Sequence, residues 1–373
     1  MPQTDILIIG AGPAGLTTGG ALKHVGLNPV LLDKDTVVGG TWQRRYDRLH
    51  LHSVRRFSGL AHYPLPHSLP AYVPKNRFVE YLQDYARKFE LNIMGETTVK
   101  KIRKSSNNEW EVETDGDIWQ SKVVIVATGH FGKPYTPDWP GKAEFQGKLI
   151  HSIEYKTGQD YAGKRVLVIG SGNSGSEIAC DLAEQGAGFV ANSIRTHPPV
   201  VPRNFLGTPV QVFGILLAPI PPKIADYIGS KIARVAMGNL APYGMKPADW
   251  QPFSAHHIPI IDVGFVGELK RGKINIRPDI ERFIPTGVVY VDGTSEDFDV
   301  IIAGTGFQTG LPELIDIPNV LDERGYPAFP SGQPTAQPGF YFMGYTESVR
   351  GHLYEANQDS RRLAKIIQNY LNS

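Results

Sequence analysis

The sequence predicts an α/β chain of two dinucleotide-binding, Rossmann-like domains, the second inserted into the first. Three observations predict it. A short apolar strand, Asp5-Ile6-Leu7-Ile8-Ile9, runs into Gly10-Ala11-Gly12-Pro13-Ala14-Gly15 and a helix-like stretch to about Val25. The pattern recurs when Arg165–Ile169 runs into Gly170-Ser171-Gly172-Asn173-Ser174-Gly175 and a helix-like stretch, Ser176–Gln185. Strand patterns at 287–291 and 299–303, ending in Gly304-Thr305-Gly306, then close the pattern. These place the first domain at 1–158 and 296–373 and the second at 159–295. The second holds an apolar, proline-rich lid segment at about 200–260.

The remaining elements follow from periodicity. Pro29–Leu32 is a buried strand ending at Asp33, which completes one βαβ unit. Phe78, Tyr81, Leu82, Tyr85, Ala86 and Phe89 fall on one face of a helix over 74–90, with Pro74 at its start. Thr97–Ile102 reads as a strand. Trp110–Thr114 and Ile118–Gln120 flank Asp115-Gly116, a hairpin signal. Val123–Val126 is a strand ending in Ala127-Thr128-Gly129, and Phe189–Ile194 is one ending at Arg195. Residues 352–371 are helical, and no short repeat is present.

Composition narrows the function. At roughly 150 residues per domain, 373 residues make two or three domains with ample core. Lys plus Arg number 38 and Asp plus Glu 37, a net +1, which argues against a nucleic-acid partner. The single cysteine, Cys180, can form neither an internal disulfide nor a CxxC redox pair, and this usage fits a reducing compartment. Beside Ile178 and Leu182 it is expected as a small buried residue. The 40 glycines and 29 prolines have no period, which excludes collagen. The N-terminus has no basic region or cleavage site of a signal peptide. The longest apolar stretch, Val210–Ile220, is broken by Gln211, Gly214 and Pro219 and is shorter than the about 20 residues a membrane span needs. It reads as a buried or lid segment, with contact to a membrane surface as the alternative. A cytoplasmic protein without a membrane anchor is expected. The histidines, His256-His257 included, form no metal-ligand grouping, so no metal is expected.

The glycine turns carry the chemistry. In such a turn Gly10 allows a sharp bend, Gly12 lets a pyrophosphate approach the backbone, and Gly15 lets helix and strand pack closely. The phosphates then sit on the helix N-terminus. Asp33 lies 18 positions after Gly15, near the spacing of an acid that bonds a ribose hydroxyl. FAD is favoured over NAD here, because the motif opens the chain and a second one follows. Gly39-Gly40-Thr41-Trp42 would pass near the flavin, or form an ordinary loop. After the second turn, Arg195 and Thr196 stand where an NAD site often has its acid. A guanidinium there suits the 2′-phosphate of NADPH; a solvated arginine at a strand end is the alternative.

Between the two turns stands Phe145-Gln146-Gly147-Lys148-Leu149-Ile150-His151-Ser152-Ile153-Glu154-Tyr155. It resembles the FxGxxxHxxx(Y/F) fingerprint of class B flavin-containing monooxygenases. A Trp at the last position would point to Baeyer–Villiger enzymes instead. The pattern is most similar to YUCCA-type enzymes, which oxidatively decarboxylate indole-3-pyruvate, through Tyr46–His52, Val201–Leu206, Pro259–Gly264 and Asp299–Phe307.

The resemblance implies an FAD set of Gly10, Gly12, Pro13, Ala14, Gly15, Asp33, Lys34, Gly40, Thr41, Trp42, His52, Val99, Ala127, Thr128 and Gly129. It implies an NADPH set of Gly170, Gly172, Asn173, Ser174, Gly175, Arg195 and Thr196, with Gly306 and Phe307 completing the cofactor contacts. His52, Asn173 and His151 are its candidate catalytic residues; a role of His151 in domain orientation suits it equally. In this resemblance NADPH reduces FAD, oxygen adds at flavin C4a, and the resulting (hydro)peroxyflavin needs a dry site. The implied substrates are small aromatic 2-keto acids, with N- or S-oxygenation of soft amines and sulfides as the alternative. Arg55, Arg56 or Arg203 could take the keto-acid carboxylate. His52 stands where many animal members have Asn, and Gly304 stands where the family has Ala. The anchoring tail of animal members has no counterpart after Ser373. Two other classes are a flavin disulfide reductase, whose cysteine pair is missing, and a non-catalytic nucleotide sensor. A homodimer is left open.

Overall fold

The computed structural model describes residues 1–105, 107 and 109–373. It divides into two compact units: Met1–Arg44 with Ser53–Lys133 and Phe307–Ser373, and Arg45–His52 with Pro134–Gly306. Residues 45–52, 134–158 and 296–306, placed with the first domain from sequence, fall in the second unit. For the two later segments the reason is strand pairing: Lys148–His151 pairs with Val300–Ala303, which in turn pairs with Arg165–Ile169.

In the first unit the sheet runs Asn92–Met94, Val30–Leu32, Gln3–Ile9, Ile118–Val126, Trp110–Thr114, Val99–Lys104, with Phe340–Phe342 added beside Ile118–Val126. Ile118–Val126 is one strand, where the sequence suggested two. It serves two partners: Ile118–Ser121 runs antiparallel to Trp110–Glu113, and Ile6–Ile9 lie parallel to Val123–Val126. The central strands are buried on both faces, as parallel strands covered by helices must be. Helices Pro13–His24 and His352–Asn372 pack together and join through Thr17 and Ser360 hydroxyls 3.3 Å apart. The amphipathic helix is Lys75–Lys88, with Pro74 as its N-cap.

The second unit has a parallel sheet in the order Ile274–Arg277, Phe189–Ser193, Arg165–Ile169, Val300–Ala303, Lys148–His151. Alternation divides its core. Val166 and Val168 face a cluster with Ile178, Leu182 and Ile302, while Leu167 and Ile169 face one with Phe283 and Ile301. Gly287–Tyr290 does not join this sheet; it lies in an antiparallel three-strand sheet with Ile280–Ile284 and Ser295–Asp297. The 200–260 segment is bracketed by Val200–Pro202 pairing with Ile260–Asp262, and it carries helices Val210–Leu217 and Pro222–Met237. Leu206, Leu216, Ile224, Tyr227 and Val235 are exposed on it. No helix among the described residues is long and apolar enough to cross a membrane.

Candidate active site

The first glycine turn forms a cradle. Gly10 has φ +105°, and a Cβ on Gly15 would lie 1.8 Å from the Gly10 carbonyl oxygen, so only glycine permits this packing. Gly12 is the N-cap of Pro13–His24, and nothing lies within 4 Å of the place its Cβ would take. The space beside the Gly12 backbone at that position is therefore open among the described residues. Asp33 is stitched to the turn: one carboxylate oxygen accepts the Ala11 N–H and the other the Asp35 N–H. Ala14 lies against Gly344, and the Thr128 hydroxyl is 2.7 Å from that of Tyr345, whose pKa burial pushes up. Gly40 is buried, Lys34 and Thr41 are exposed, and Trp42 meets Phe78 edge-on at 4.8 Å. Val99 opens the outermost strand, and Gly129 has φ +75°.

His130, directly after Ala127-Thr128-Gly129, was not foreseen. Its Nε2 is buried without a hydrogen-bond partner among the described residues, and burial lowers its pKa to about 4, helped by His352. An orphaned polar atom beside an open glycine cradle fits a polar ligand such as FAD. Phe307 meets Phe131 edge-on at 5.2 Å.

The second turn repeats the geometry in its own unit. Gly170 has φ +116°, and a Cβ on Gly175 would lie 2.4 Å from the Gly170 oxygen. Gly172, the N-cap of Asn173–Glu184, again has open space at its Cβ position. A Cβ on Gly304 would lie 2.9 Å from the Ile169 oxygen, which accounts for glycine there in place of alanine. Arg195 is exposed and makes no hydrogen bond or ion pair among the described residues, and Thr196 is exposed beside it. An open cradle with an uncommitted guanidinium near its second strand fits a phosphorylated dinucleotide. Asn173 is differently occupied: its Nδ2 donates to the Pro259 carbonyl at 3.0 Å and its Oδ1 accepts the Ile261 N–H at 2.8 Å.

The fingerprint residues are anchored by backbone and by the Asn173–Glu184 helix. His151 is 6% exposed; its Nε2 donates to the Gly306 carbonyl at 3.0 Å and its Nδ1 accepts the Ile153 N–H at 3.2 Å. Burial lowers its pKa, against the pull of the Gly306 hydrogen bond. Gly306 itself has φ +85°. The Tyr155 hydroxyl donates to Asp181. Glu177, four positions before Asp181 and 3% exposed, meets His52 Nε2 through one oxygen and accepts from the Tyr46 hydroxyl at 3.1 Å through the other. Ser174 also bonds the Tyr46 hydroxyl. Sequence reasoning missed Glu177 and Asp181. The available signal was two acids four apart beside Ile178 and Leu182, on the buried face of a helix.

Of the three arginines, Arg55 donates to the carbonyls of His67 and Leu69, and Arg203 to that of Leu51. Arg56 is exposed, with its guanidinium 5.6 Å from the Phe57 ring centre. Cys180 is buried and free, its thiol pushed up to about 12 by burial. Among the described residues no group of three or more His, Cys, Asp or Glu could hold a metal.

Residues 3–323 match the family described as Flavin-binding monooxygenase-like. Indole-3-pyruvate monooxygenase YUCCA6 of Arabidopsis thaliana is 34% identical over 98% of this chain and 90% of its own. Indole-3-pyruvate monooxygenase YUCCA1 of Oryza sativa subsp. japonica is 33% identical over 97% and 90%. Among solved structures, a flavin-containing monooxygenase from Stenotrophomonas maltophilia superposes with a TM-score of 0.76 at 26% identity, covering 100% of both chains. With two open glycine cradles and a family match over most of its length, the chain belongs to the flavin-binding monooxygenase-like family and is an NADPH-dependent flavin monooxygenase with FAD as its flavin.

Proposed function

We propose that the Gly10–Gly15 cradle holds FAD, that the Gly170–Gly175 cradle holds NADPH, and that the substrate is a small aromatic 2-keto acid. The observation that carries the substrate class is the relatives' names: proteins 33–34% identical along nearly the whole chain are called indole-3-pyruvate monooxygenases. The reaction is then oxidative decarboxylation: keto acid, O2, NADPH and a proton give the arylacetic acid, CO2, NADP and water. When bound, NADPH supplies a hydride and reduced FAD activates oxygen at its C4a carbon.

The chain supplies binding and orientation. The helix N-termini behind Gly12 and Gly172 attract the pyrophosphates. Asp33 keeps lone pairs beyond its two amide bonds for a ribose hydroxyl. Arg195 pairs with the 2′-phosphate. His151 keeps its proton at Nε2 toward Gly306, so its ring acts as a connector within its unit. Arg56, which is exposed and whose donors meet no oxygen among the described residues, is our candidate for the substrate carboxylate.

The test gives the holoenzyme NADPH, oxygen and phenylpyruvate or indole-3-pyruvate. Arylacetic acid and CO2 should form in step with NADPH loss, with little hydrogen peroxide. If keto acids only produce peroxide while methyl aryl sulfides become sulfoxides, the substrate reading is wrong. For the coenzyme, Arg195→Gln removes a charge-assisted bond of roughly 1.5–3 kcal/mol. NADPH should bind roughly ten- to a hundredfold more weakly, with NADH spared; equal loss for both would make Arg195 structural.

A further inference from the structure

We propose that Glu177 is a positioning residue that fixes the tautomer and orientation of His52, presenting the Nδ1 edge of that ring as its open face. The proposal rests on the expectation that His52 is one of the catalytic residues of this flavin monooxygenase, and it names the residue that sets how His52 presents its ring.

A carboxylate that is 3% exposed needs partners, since an unpaired buried charge costs several kcal/mol. Glu177 divides its oxygens between two. One meets His52 Nε2 and the other accepts from the Tyr46 hydroxyl at 3.1 Å. Tyr46 is 4% exposed, and burial, then the Glu177 charge, hold its pKa well above the usual phenol range. It therefore stays protonated and can only donate toward Glu177. The nearby guanidinium does not compete. Arg48 lies on Glu184 at 2.9 Å and Asp181 at 3.5 Å, and it reaches Glu177 only as a more distant charge.

The consequence for the ring follows from its two nitrogens. A carboxylate accepts hydrogen bonds and cannot donate, so the nitrogen facing it carries the proton. That nitrogen is Nε2. Nδ1 makes no hydrogen bond among the described residues, and the His52 side chain is 22% exposed. In the neutral ring Nδ1 thus carries the lone pair, open to accept a proton or hydrogen bond. Without Glu177 the ring could rotate or take the other tautomer. Glu177 also rides on Asn173–Glu184, the helix whose N-cap is Gly172 of the second cradle. One rigid element therefore fixes both the second cradle and the imidazole.

The experiment uses holoenzyme labelled with 15N-histidine, with His52 identified by its loss in His52→Gln. At a pH high enough for a neutral ring, the wild-type shifts should show Nε2–H and an unprotonated Nδ1. An Nδ1–H ring in the wild type overturns the proposal without any further variant. Glu177→Gln, nearly isosteric, should give a mixture of tautomers, and hydrogen peroxide released per NADPH should rise at least threefold. Tyr46→Phe, which spares the Glu177–His52 contact, should keep the Nε2–H pattern. If Glu177→Gln keeps both the pattern and the coupling, Glu177 is only a structural acid and the proposal fails. If Glu177→Gln changes the tautomer but neither it nor His52→Gln changes coupling, Glu177 positions the ring as proposed, and the expectation that His52 is catalytic fails instead.

Discussion

The hydroxyl of Tyr155 donates to Asp181 Oδ2 across 2.6 Å, and the same oxygen accepts the Gly158 N–H at 2.9 Å. Both side chains are buried, at 0% and 4% exposure. The last residue of the fingerprint is therefore bound to the helix of the second glycine turn, and an aromatic ring without a hydroxyl could not make that bond. Burial, then the Asp181 hydrogen bond and charge, push the Tyr155 pKa far up, so it remains a donor.

Tyr155→Phe leaves Asp181 with Gly158 and Arg48 as partners, so its loss should be moderate. We expect about 1–2 kcal/mol of destabilisation, the range for a buried hydrogen bond to a charged group with partial compensation. Asp181→Ala strands the Tyr155 hydroxyl, the Gly158 amide and part of the Arg48 pairing, and should cost more. Denaturation midpoints of the three proteins check the order; equal stability of Tyr155→Phe and the wild type would contradict it.

The two glycines of the first turn should behave differently. Gly15→Ala places a Cβ 1.8 Å from the Gly10 oxygen and must displace backbone, so the flavin-free protein itself should be destabilised. Gly12 has φ −73° and nothing among the described residues within 4 Å of its Cβ position, so Gly12→Val should leave the flavin-free fold intact and intrude only on a ligand. The purified Gly12→Val protein should be colourless with an unchanged flavin-free melting temperature. Full flavin content in that variant would contradict the cradle.

Much of this was legible from the chain alone, for physical reasons that differ by element. Lys75–Lys88 could be read because Phe78, Tyr81, Leu82 and Tyr85 repeat at the helical period and all four are buried. The glycine turns could be read because their backbone admits no side chain at Gly15 or Gly175. Ile118–Val126 was split because local propensity does not reveal that one strand serves two partners. Gly287–Tyr290 is a strand as its pattern predicts, but its place in a separate antiparallel sheet was not legible: strand pattern gives burial and not the neighbour. The Glu177–His52 contact spans 125 positions, and no local pattern chooses such a partner. The side chain of Asn173 matched an NADPH set in sequence, yet in the fold it ties down residues 259–261.

The first unit should show two opposing acid responses. His130 has a native pKa of about 4, below the 6.5 of an unfolded histidine, because burial disfavours its charge. From pH 6.5 down to about 4 the unfolded chain binds more protons at this site, so acidification removes stability. Asp359 has a native pKa of about 6, above the 3.8 of an unfolded aspartate, chiefly through burial and with Glu355 nearby. Between pH 6 and 4 the native state takes up that proton first, so acidification adds stability. The two terms offset. His130→Asn should flatten or reverse the loss of stability between pH 6 and 4, while Asp359→Asn should steepen it. Denaturation at a series of pH values checks the slopes; equal slopes in both variants would remove this account.

The last prediction concerns the hold on the 200–260 segment. Asn173 grips its returning strand with both ends of one amide, at Pro259 and Ile261. That strand, Ile260–Asp262, pairs with Val200–Pro202 and so closes the whole insertion at its base. Asn173→Ala removes one donor and one acceptor and leaves the Ile261 N–H and the Pro259 carbonyl unpaired, at about 1–3 kcal/mol for each group kept from water. The damage should be local, because the Gly170–Gly175 turn is shaped by its own backbone. Hydrogen exchange at Ile261 should quicken by roughly ten- to a hundredfold, at about 1.4 kcal/mol per decade, and proteolysis should enter within 200–260. NADPH should still bind with nearly its former affinity. If NADPH affinity falls tenfold or more while Ile261 stays protected, the Asn173 side chain contacts the coenzyme instead, and its two hydrogen bonds to 259–261 are incidental.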